Sequence, residues 1–190
     1  MHEKINIYYD QIYEIENFLS DKTTNDLLSF VDLEGDEGWI KTNEGHTGTS
    51  NSETIQLIAN IGKELENKIM NYFSNVEKMV PIGQIKRLKS GESMPGHRDR
   101  GVRGYDKKES KYHNSPGTDI CFGIILYLND DFEGGELYYK DLDLRIKPKK
   151  NSMVIHKSSI FHQVLKVKNG TRYSITSFIM GDESTYCIIK

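Results

Sequence analysis

The sequence predicts an α+β fold that is mainly β: a β-sandwich or jelly roll with N-terminal helices packed on one sheet. Three observations carry this. Helical periodicity is concentrated in the first 80 residues. From residue 82 onward, short β-rich runs follow one another between turn residues. The chain of 190 residues is long enough to bury a proper core as one domain. Helices first and strands afterwards is the order of an α+β layer architecture.

Residues 1–19 read as one or two short strands ending in an apolar corner of Ile12, Ile15, Phe18 and Leu19. Ser20 or Asp21 can cap a short helix, because a side-chain oxygen there accepts a free amide hydrogen of the first turn. That helix would bury Leu27, Leu28, Phe30 and Val31. Gly35 and Gly38 mark a turn before a brief strand around Trp39 and Ile40. Thr42 to Ser52 is rich in Gly, Thr, Ser and Asn and reads as a loop. Over residues 53–73, Ile58, Ile61, Leu65, Ile69 and Tyr72 recur at three- and four-residue steps, which predicts a helix with one apolar face.

The strands expected next are around Ile82, then Gln84–Leu88, Ile120–Asn129, Glu136–Tyr139, Leu142–Ile146, Met153–His156, Val164–Lys168 and Tyr173–Met180. Asp130-Asp131, Gly134-Gly135, the run from Pro148 to Asn151 and Asn169-Gly170 supply the turns. Glu133 to Glu136 reads as a tight hairpin with glycine at positive φ. No internal repeat stands out. We expect one domain over 1–190, with 1–80 as strand-and-helix support and 81–181 as a β core.

Arg100–Thr118 breaks this rhythm. It is polar and carries Gly101, Gly104, Pro116 and Gly117. Structureless loops of this length in a compact domain are uncommon unless functional or disordered. With Tyr105, Tyr112 and His113 it reads as a lid over a substrate.

Composition excludes several classes. The net charge of −3, from 28 acidic and 25 basic residues, gives no reason to expect nucleic acid as a partner. No stretch approaches the roughly 20 apolar residues of a membrane span. The N-terminus, with Glu3, Asp10 and Glu14, lacks a signal-peptide profile. The reading is a cytoplasmic protein. Cys121 and Cys187 are far apart and read as packing thiols of a reducing compartment. Four of the six arginines, Arg87, Arg98, Arg100 and Arg103, lie in or near one polar stretch, and Arg suits bidentate carboxylate binding.

That stretch holds His97-Arg98-Asp99, a His and an Asp one residue apart. A second imidazole from elsewhere would complete two His and one carboxylate on one side of a metal, the ligand set of a non-haem Fe(II) oxygenase. Of the other histidines, His2 lies near the terminus, His46 in a polar loop and His113 in the lid. His156 and His162 remain for the distal ligand. Arg172 stands ten residues beyond His162, in Gly170-Thr171-Arg172-Tyr173-Ser174. A strand leaving the metal and its neighbour returning through Asn169-Gly170 would place Arg172 deeper in the barrel. A buried Arg needs a carboxylate, from an internal Asp or Glu or from a bound dicarboxylate, and Ser174 shares its strand face.

These residues carry a resemblance. The stretches Gln84-Ile-Lys-Arg-Leu, Gly91, His97-Arg-Asp99, Tyr127-Leu-Asn-Asp130, Phe132-Glu-Gly-Gly-Glu-Leu137, His162-Gln-Val-Leu-Lys-Val and Gly170-Thr-Arg-Tyr-Ser174 resemble the 2-oxoglutarate/Fe(II)-dependent dioxygenase superfamily, in its prolyl 4-hydroxylase-like branch. Asn17-Phe18-Leu19-Ser20 before a helix is similar too. The resemblance implies a double-stranded β-helix with Fe(II) held by His97, Asp99 and His162. It implies that Arg172, with Tyr127 and Ser174, binds the distal carboxylate of 2-oxoglutarate. O2 is then the second cosubstrate, and ascorbate a possible further requirement. The implied reaction hydroxylates an unactivated C–H bond, on a peptidyl proline, with succinate and CO2 as coproducts.

Departures from the family pattern bear on the substrate. Leu88 stands where a tyrosine touching 2-oxoglutarate is usual, so Tyr127 alone, or Arg87 by a shifted register, would substitute. Met94 replaces a usual aromatic. Arg172 replaces the lysine of many prolyl 4-hydroxylases. Arg100, Arg103, Tyr105 and Tyr112 are the candidate substrate contacts. His156 reads as a surface histidine or one behind a ligand. The other readings are a hydroxylase of a free amino acid or small metabolite, favoured by the arginines, and a non-catalytic metal- or 2-oxoglutarate-binding module, favoured by Leu88 and Met94. The partner is accordingly a peptide, a protein or a small molecule.

Overall fold

A computed structural model describes residues 2–34, 38–41, 47–49, 52–99, 105–106, 111–112, 119–181 and 184–189. Strands β1 (Lys4–Tyr8) and β2 (Ile12–Glu16) lead into α1 (Asp21–Glu34). β3 (Trp39–Lys41) and β4 (Thr47–Thr49) precede α2 (Ser52–Met70). Then follow β5 (Phe73–Ser74), β6 (Lys78–Met79), β7 (Lys86–Lys89) and β8 (Met94–His97). β9 (Tyr105–Asp106) and β10 (Lys111–Tyr112) come before β11 (Asp119–Tyr127), β12 (Glu133–Gly134) and β13 (Leu137–Tyr139). The chain closes with β14 (Leu144–Ile146), β15 (Met153–Lys157), β16 (His162–Val164), β17 (Val167–Asn169), β18 (Thr171–Gly181) and β19 (Tyr186–Cys187).

Two sheets face each other. The larger runs β1-β2-β15-β11-β18-β7-β4-β3, with β6 added beside β18; the smaller runs β14-β13-β16-β8. Because strand side chains alternate between faces, each central strand of the large sheet feeds two cores. Phe122, Ile124, Leu126, Ile155, Ile175 and Ile179 point to the helices and pack with Leu27, Ile58, Leu65 and Ile69. Ile125, Tyr127, Val154, Ile12 and Leu88 point the other way and pack with Leu137, Tyr139, Ile146 and Val164 of the small sheet. The fold is thus the expected jelly roll with both helices covering one sheet. Among the described residues no helix is long and apolar enough to cross a membrane.

Ser20 caps α1, its Oγ accepting the amide hydrogen of Thr23 at 3.0 Å. Asp21 instead accepts from Asn151 Nδ2 at 2.7 Å, and Thr24 donates to Asn151 Oδ1 at 2.6 Å. These bonds tie the helix start to the turn before β15.

Several boundaries differ from expectation. The helix over 53–73 runs 52–70. Within the loop expected at 42–52, residues 47–49 form a strand, because Thr47 and Gly48 pair with Arg87 and Lys86 on the edge of the large sheet. The strand expected over 142–146 begins with a 3-10 turn at Lys140–Leu142. The single strand expected over 164–168 is split. β16 belongs to the small sheet and β17 pairs with β12. That pairing also replaces the hairpin expected at 133–136. Gly134 and Gly135 do adopt positive φ, 76° and 66°, but they carry the chain from one sheet to the other. β8 escaped notice because Met94-Pro95-Gly96-His97 lacks alternation and contains two poor strand formers.

Candidate metal and cosubstrate site

His97 ends β8 and His162 begins β16, and the two are direct cross-strand partners. Opposed positions share a face, so both imidazoles point into the roll, with ring centroids 4.4 Å apart. Asp99, two residues past His97, returns to the same side; its amide donates to the Ser158 carbonyl at 3.0 Å. One donor atom from each of His97, Asp99 and His162 lies within 4.8 Å of the others, a group that can hold a metal ion. Asp99 Oδ1 is 3.4 Å from His97 Nε2 and 3.8 Å from His162 Nε2.

Each ligand candidate is held from behind. His97 Nδ1 is 2.9 Å from the Pro95 carbonyl, and His162 Nδ1 is 3.0 Å from the Ile160 carbonyl. Carbonyls only accept, so each Nδ1 carries the hydrogen and each Nε2 presents a lone pair. Burial, then the neighbouring His156, pull His162 down to about 3 against the opposing influence of Asp99. Its Nε2 is therefore unprotonated at neutral pH. Burial alone would raise the Asp99 carboxyl. The hydrogen bond from His156 and the adjacent His97 outweigh it and hold Asp99 well below the usual carboxylate range.

Further inside, Arg172 is buried on β18 and donates from Nη1 to Ser174 Oγ at 2.8 Å. Its guanidinium carbon stands 5.1 Å from the Tyr127 ring centre. No Asp or Glu pairs with it among the described residues. Arg172 Nε and Tyr127 Oη are both buried without a hydrogen-bond partner there. Burial raises the Tyr127 phenol despite the guanidinium, so it stays a hydroxyl. Two unsatisfied polar groups converging in an apolar core fit a carboxylate that the described residues do not supply.

Leu88 lies opposite Arg172 on β7 and is buried in the same core. Arg87 cannot take the place of the usual tyrosine by a shifted register. It faces the other side of the sheet, stacks on Trp39 at 4.1 Å and contacts Thr47 through Nε at 3.3 Å. Arg98 is likewise engaged on structure, donating to the Ser159 carbonyl at 2.9 Å. Arg100, Arg103 and His113 lie outside the described residues. Tyr105 and Tyr112 are cross-strand partners in the β9–β10 pair; the rest of residues 100–118, where a lid is expected, is also outside the described residues. His156 is not a surface residue. It is buried, donates from Nε2 to Asp99 Oδ2 at 3.0 Å and sits 2.7 Å from Tyr139 Oη through Nδ1. Sequence reasoning missed Tyr139 and the two carbonyl anchors altogether.

A jelly roll that turns two imidazoles and a carboxylate toward one point, with a buried guanidinium behind, has the architecture of a non-haem oxygenase. Comparison with known proteins agrees. The family model of the 2OG-Fe(II) oxygenase superfamily matches residues 83–180. A PKHD-type hydroxylase of Crocosphaera subtropica is 24% identical over 182 residues, covering 88% of this chain and 78% of that protein. A PKHD-type hydroxylase of Prochlorococcus marinus is 32% identical over 73 residues, 37% of this chain and 33% of that one. The crystal structure of the viral collagen prolyl hydroxylase of Paramecium Bursaria Chlorella virus-1, as its 2OG complex, superposes with a TM-score of 0.63. That match covers 92% of this chain and 98% of that one, at 21% identity, and shows the double-stranded β-helix fold.

The chain belongs to the 2OG-Fe(II) oxygenase superfamily. It is a 2-oxoglutarate- and Fe(II)-dependent oxygenase, with O2 as its second cosubstrate.

Proposed function

We propose that His97, Asp99 and His162 hold the Fe(II), that Arg172 with Tyr127 and Ser174 holds the distal carboxylate of 2-oxoglutarate, and that the hydroxylated group is a peptidyl proline. The observation that carries the site assignment is that Arg172 Nε and Tyr127 Oη, both buried, have no hydrogen-bond partner among the described residues, behind a three-donor group that can take a metal. The donor set fits Fe(II), since two neutral imidazoles and one carboxylate leave positions open for other ligands. Bound there, iron with 2-oxoglutarate and O2 supplies the oxidising chemistry. The chain's own residues orient and exclude. The Pro95 and Ile160 carbonyls fix the ligand tautomers. Arg172 and Tyr127 offer N–H and O–H donors to one carboxylate, and Leu88, Val154 and Ile125 line the same core without competing polar atoms. The peptidyl proline is supported by the likeness to a collagen prolyl hydroxylase. Residues 81–181 act as the metal-binding core, with 1–80 as its support.

Adding Fe(II) and 2-oxoglutarate without oxygen should give a weak visible charge-transfer band, absent in His97→Ala. A wild type without the band would refute the ligand assignment. Mass spectrometry of proline-rich peptides beside a free amino-acid panel tests the substrate. A one-oxygen gain confined to free compounds would replace peptidyl proline by a small metabolite.

A further inference from the structure

We infer that His156 is a positioning residue that fixes how Asp99 presents itself to the metal, using Tyr139 as its backstop. The inference rests on the proposed His97–Asp99–His162 ligand set.

The two oxygens of Asp99 have different surroundings. Oδ1 faces His97 Nε2 and His162 Nε2, at 3.4 and 3.8 Å. Oδ2 is turned away and bonded to His156 Nε2 at 3.0 Å. A carboxylate only accepts, so His156 Nε2 carries the hydrogen. Nδ1 is then the acceptor, and Tyr139 Oη at 2.7 Å is its donor. Tyr139 is fully buried and its phenol is raised well above the ordinary value by burial, so the hydroxyl keeps its hydrogen. The order Tyr139 O–H to Nδ1, Nε2–H to Oδ2 assigns one tautomer to His156, opposite to that of His97 and His162.

The backbone reserves room for this bond. Gly123 on β11 is the cross-strand partner of His156 on β15. A Cβ at 123 would lie 2.3 Å from His156 Nε2 and 2.5 Å from Asp99 Oδ2. Every other residue type would push the two atoms apart. With Oδ2 occupied, Asp99 offers a single oxygen. A carboxylate free to bind through both would use up a coordination position that the cosubstrates need.

The test compares Co(II) affinity in wild type, His97→Ala, His156→Phe and His156→Gln, with circular dichroism and thermal melting as folding controls. Gln retains an amide hydrogen near the Nε2 position and Phe has none. His156→Phe is expected to bind Co(II) about 10- to 100-fold more weakly, and His156→Gln within about threefold of wild type. His156→Phe binding as wild type does, with His97→Ala impaired, overturns the role of His156 alone. Wild type and His97→Ala binding equally overturns the ligand set as well.

A second measurement needs no variant. In the Zn(II)-loaded wild type, nitrogen-15 NMR should assign Nε2–H to His156 and Nδ1–H to His97 and His162. A His156 with Nδ1–H, or with a metal-bound nitrogen, overturns the inference even if His156→Phe does not fold.

Discussion

At the scale of single residues, the energetics of the candidate site are set by buried polar groups that have no hydrogen-bond partner among the described residues. Arg172 is buried without an acidic partner among the described residues, and its Nε makes no hydrogen bond there. Losing one partner of a buried charge pair costs about 3–5 kcal/mol, so Arg172→Leu should weaken 2-oxoglutarate binding by a factor on the order of 100 or more. Co(II) affinity should stay unchanged. The same substitution should make the metal-free protein more resistant to urea, by about 1 kcal/mol, because the cost of the buried charge it removes outweighs the hydrogen bond to Ser174 lost with it. Calorimetry with 2-oxoglutarate and a urea titration read the two effects separately.

His162 gives a pH dependence with a definite sign. Unfolded, it takes a proton near its ordinary value of about 6.5, whereas the folded chain holds it down to about 3. Between those limits the unfolded state binds more protons, so stability falls as pH falls. Metal-free wild type should lose roughly 2 kcal/mol from this group between pH 6.5 and 5, and His162→Gln should lack that part of the slope. Urea unfolding at the two pH values decides it. Asp99, depressed in the folded state, keeps its stabilising contribution above the ordinary carboxylate range and adds no slope in this window. Of these residues His97, Asp99, His162 and Arg172 were legible in the sequence, because each is a chemically distinctive type at a recognisable spacing. His156 was visible as a candidate, but its direction was not. Which of two strand faces a side chain takes depends on partners 30 to 60 residues away.

At the scale of elements, alternation carried more than any motif. The runs over 120–129 and 173–180 are strands because one face must meet the helices and the other the small sheet. Gly123 interrupts the apolar run of β11, where glycine is otherwise unfavourable. Its reason is the His156–Asp99 contact on its open side. Gly123→Ala should destabilise the protein by about 1–3 kcal/mol through overpacking and weaken metal binding as well. Thermal melting and Co(II) titration test both, and a stable variant with normal affinity would show that the crowding relaxes elsewhere. Three of the misreadings share a cause. β4, β8 and β12 are held by long-range hydrogen bonds and not by their own composition. A strand of two to four residues has too few positions to show a period.

At the scale of the whole molecule, one sheet separates two cores with different tasks. The helix-side core supports; the core between the sheets holds the candidate cosubstrate residues. Ile58 is fully buried on the helix side. Ile58→Ala should cost about 2–5 kcal/mol of stability yet leave the KM for 2-oxoglutarate within about twofold. Leu88→Ala, opposite Arg172, should raise that KM as well as lower stability. The same KM change in both variants would show that the cores are coupled. The layer order was legible from the succession of helical and alternating patterns. The strand order was not, since the sheet joins β2 to β15 and β4 to β7, pairings that no local feature announces.

The rung joining His97 to His162 brings together the end of β8 and the start of β16, segments far apart along the chain. An ion held there, as proposed, would clasp the two strands together. Occupied at a hundredfold excess over its dissociation constant, it would lend about 2.7 kcal/mol against any opening that separates the two strands. Iron starvation would then do more than idle the enzyme. It would loosen the pairing of β8 with β16 and make the chain easier to digest.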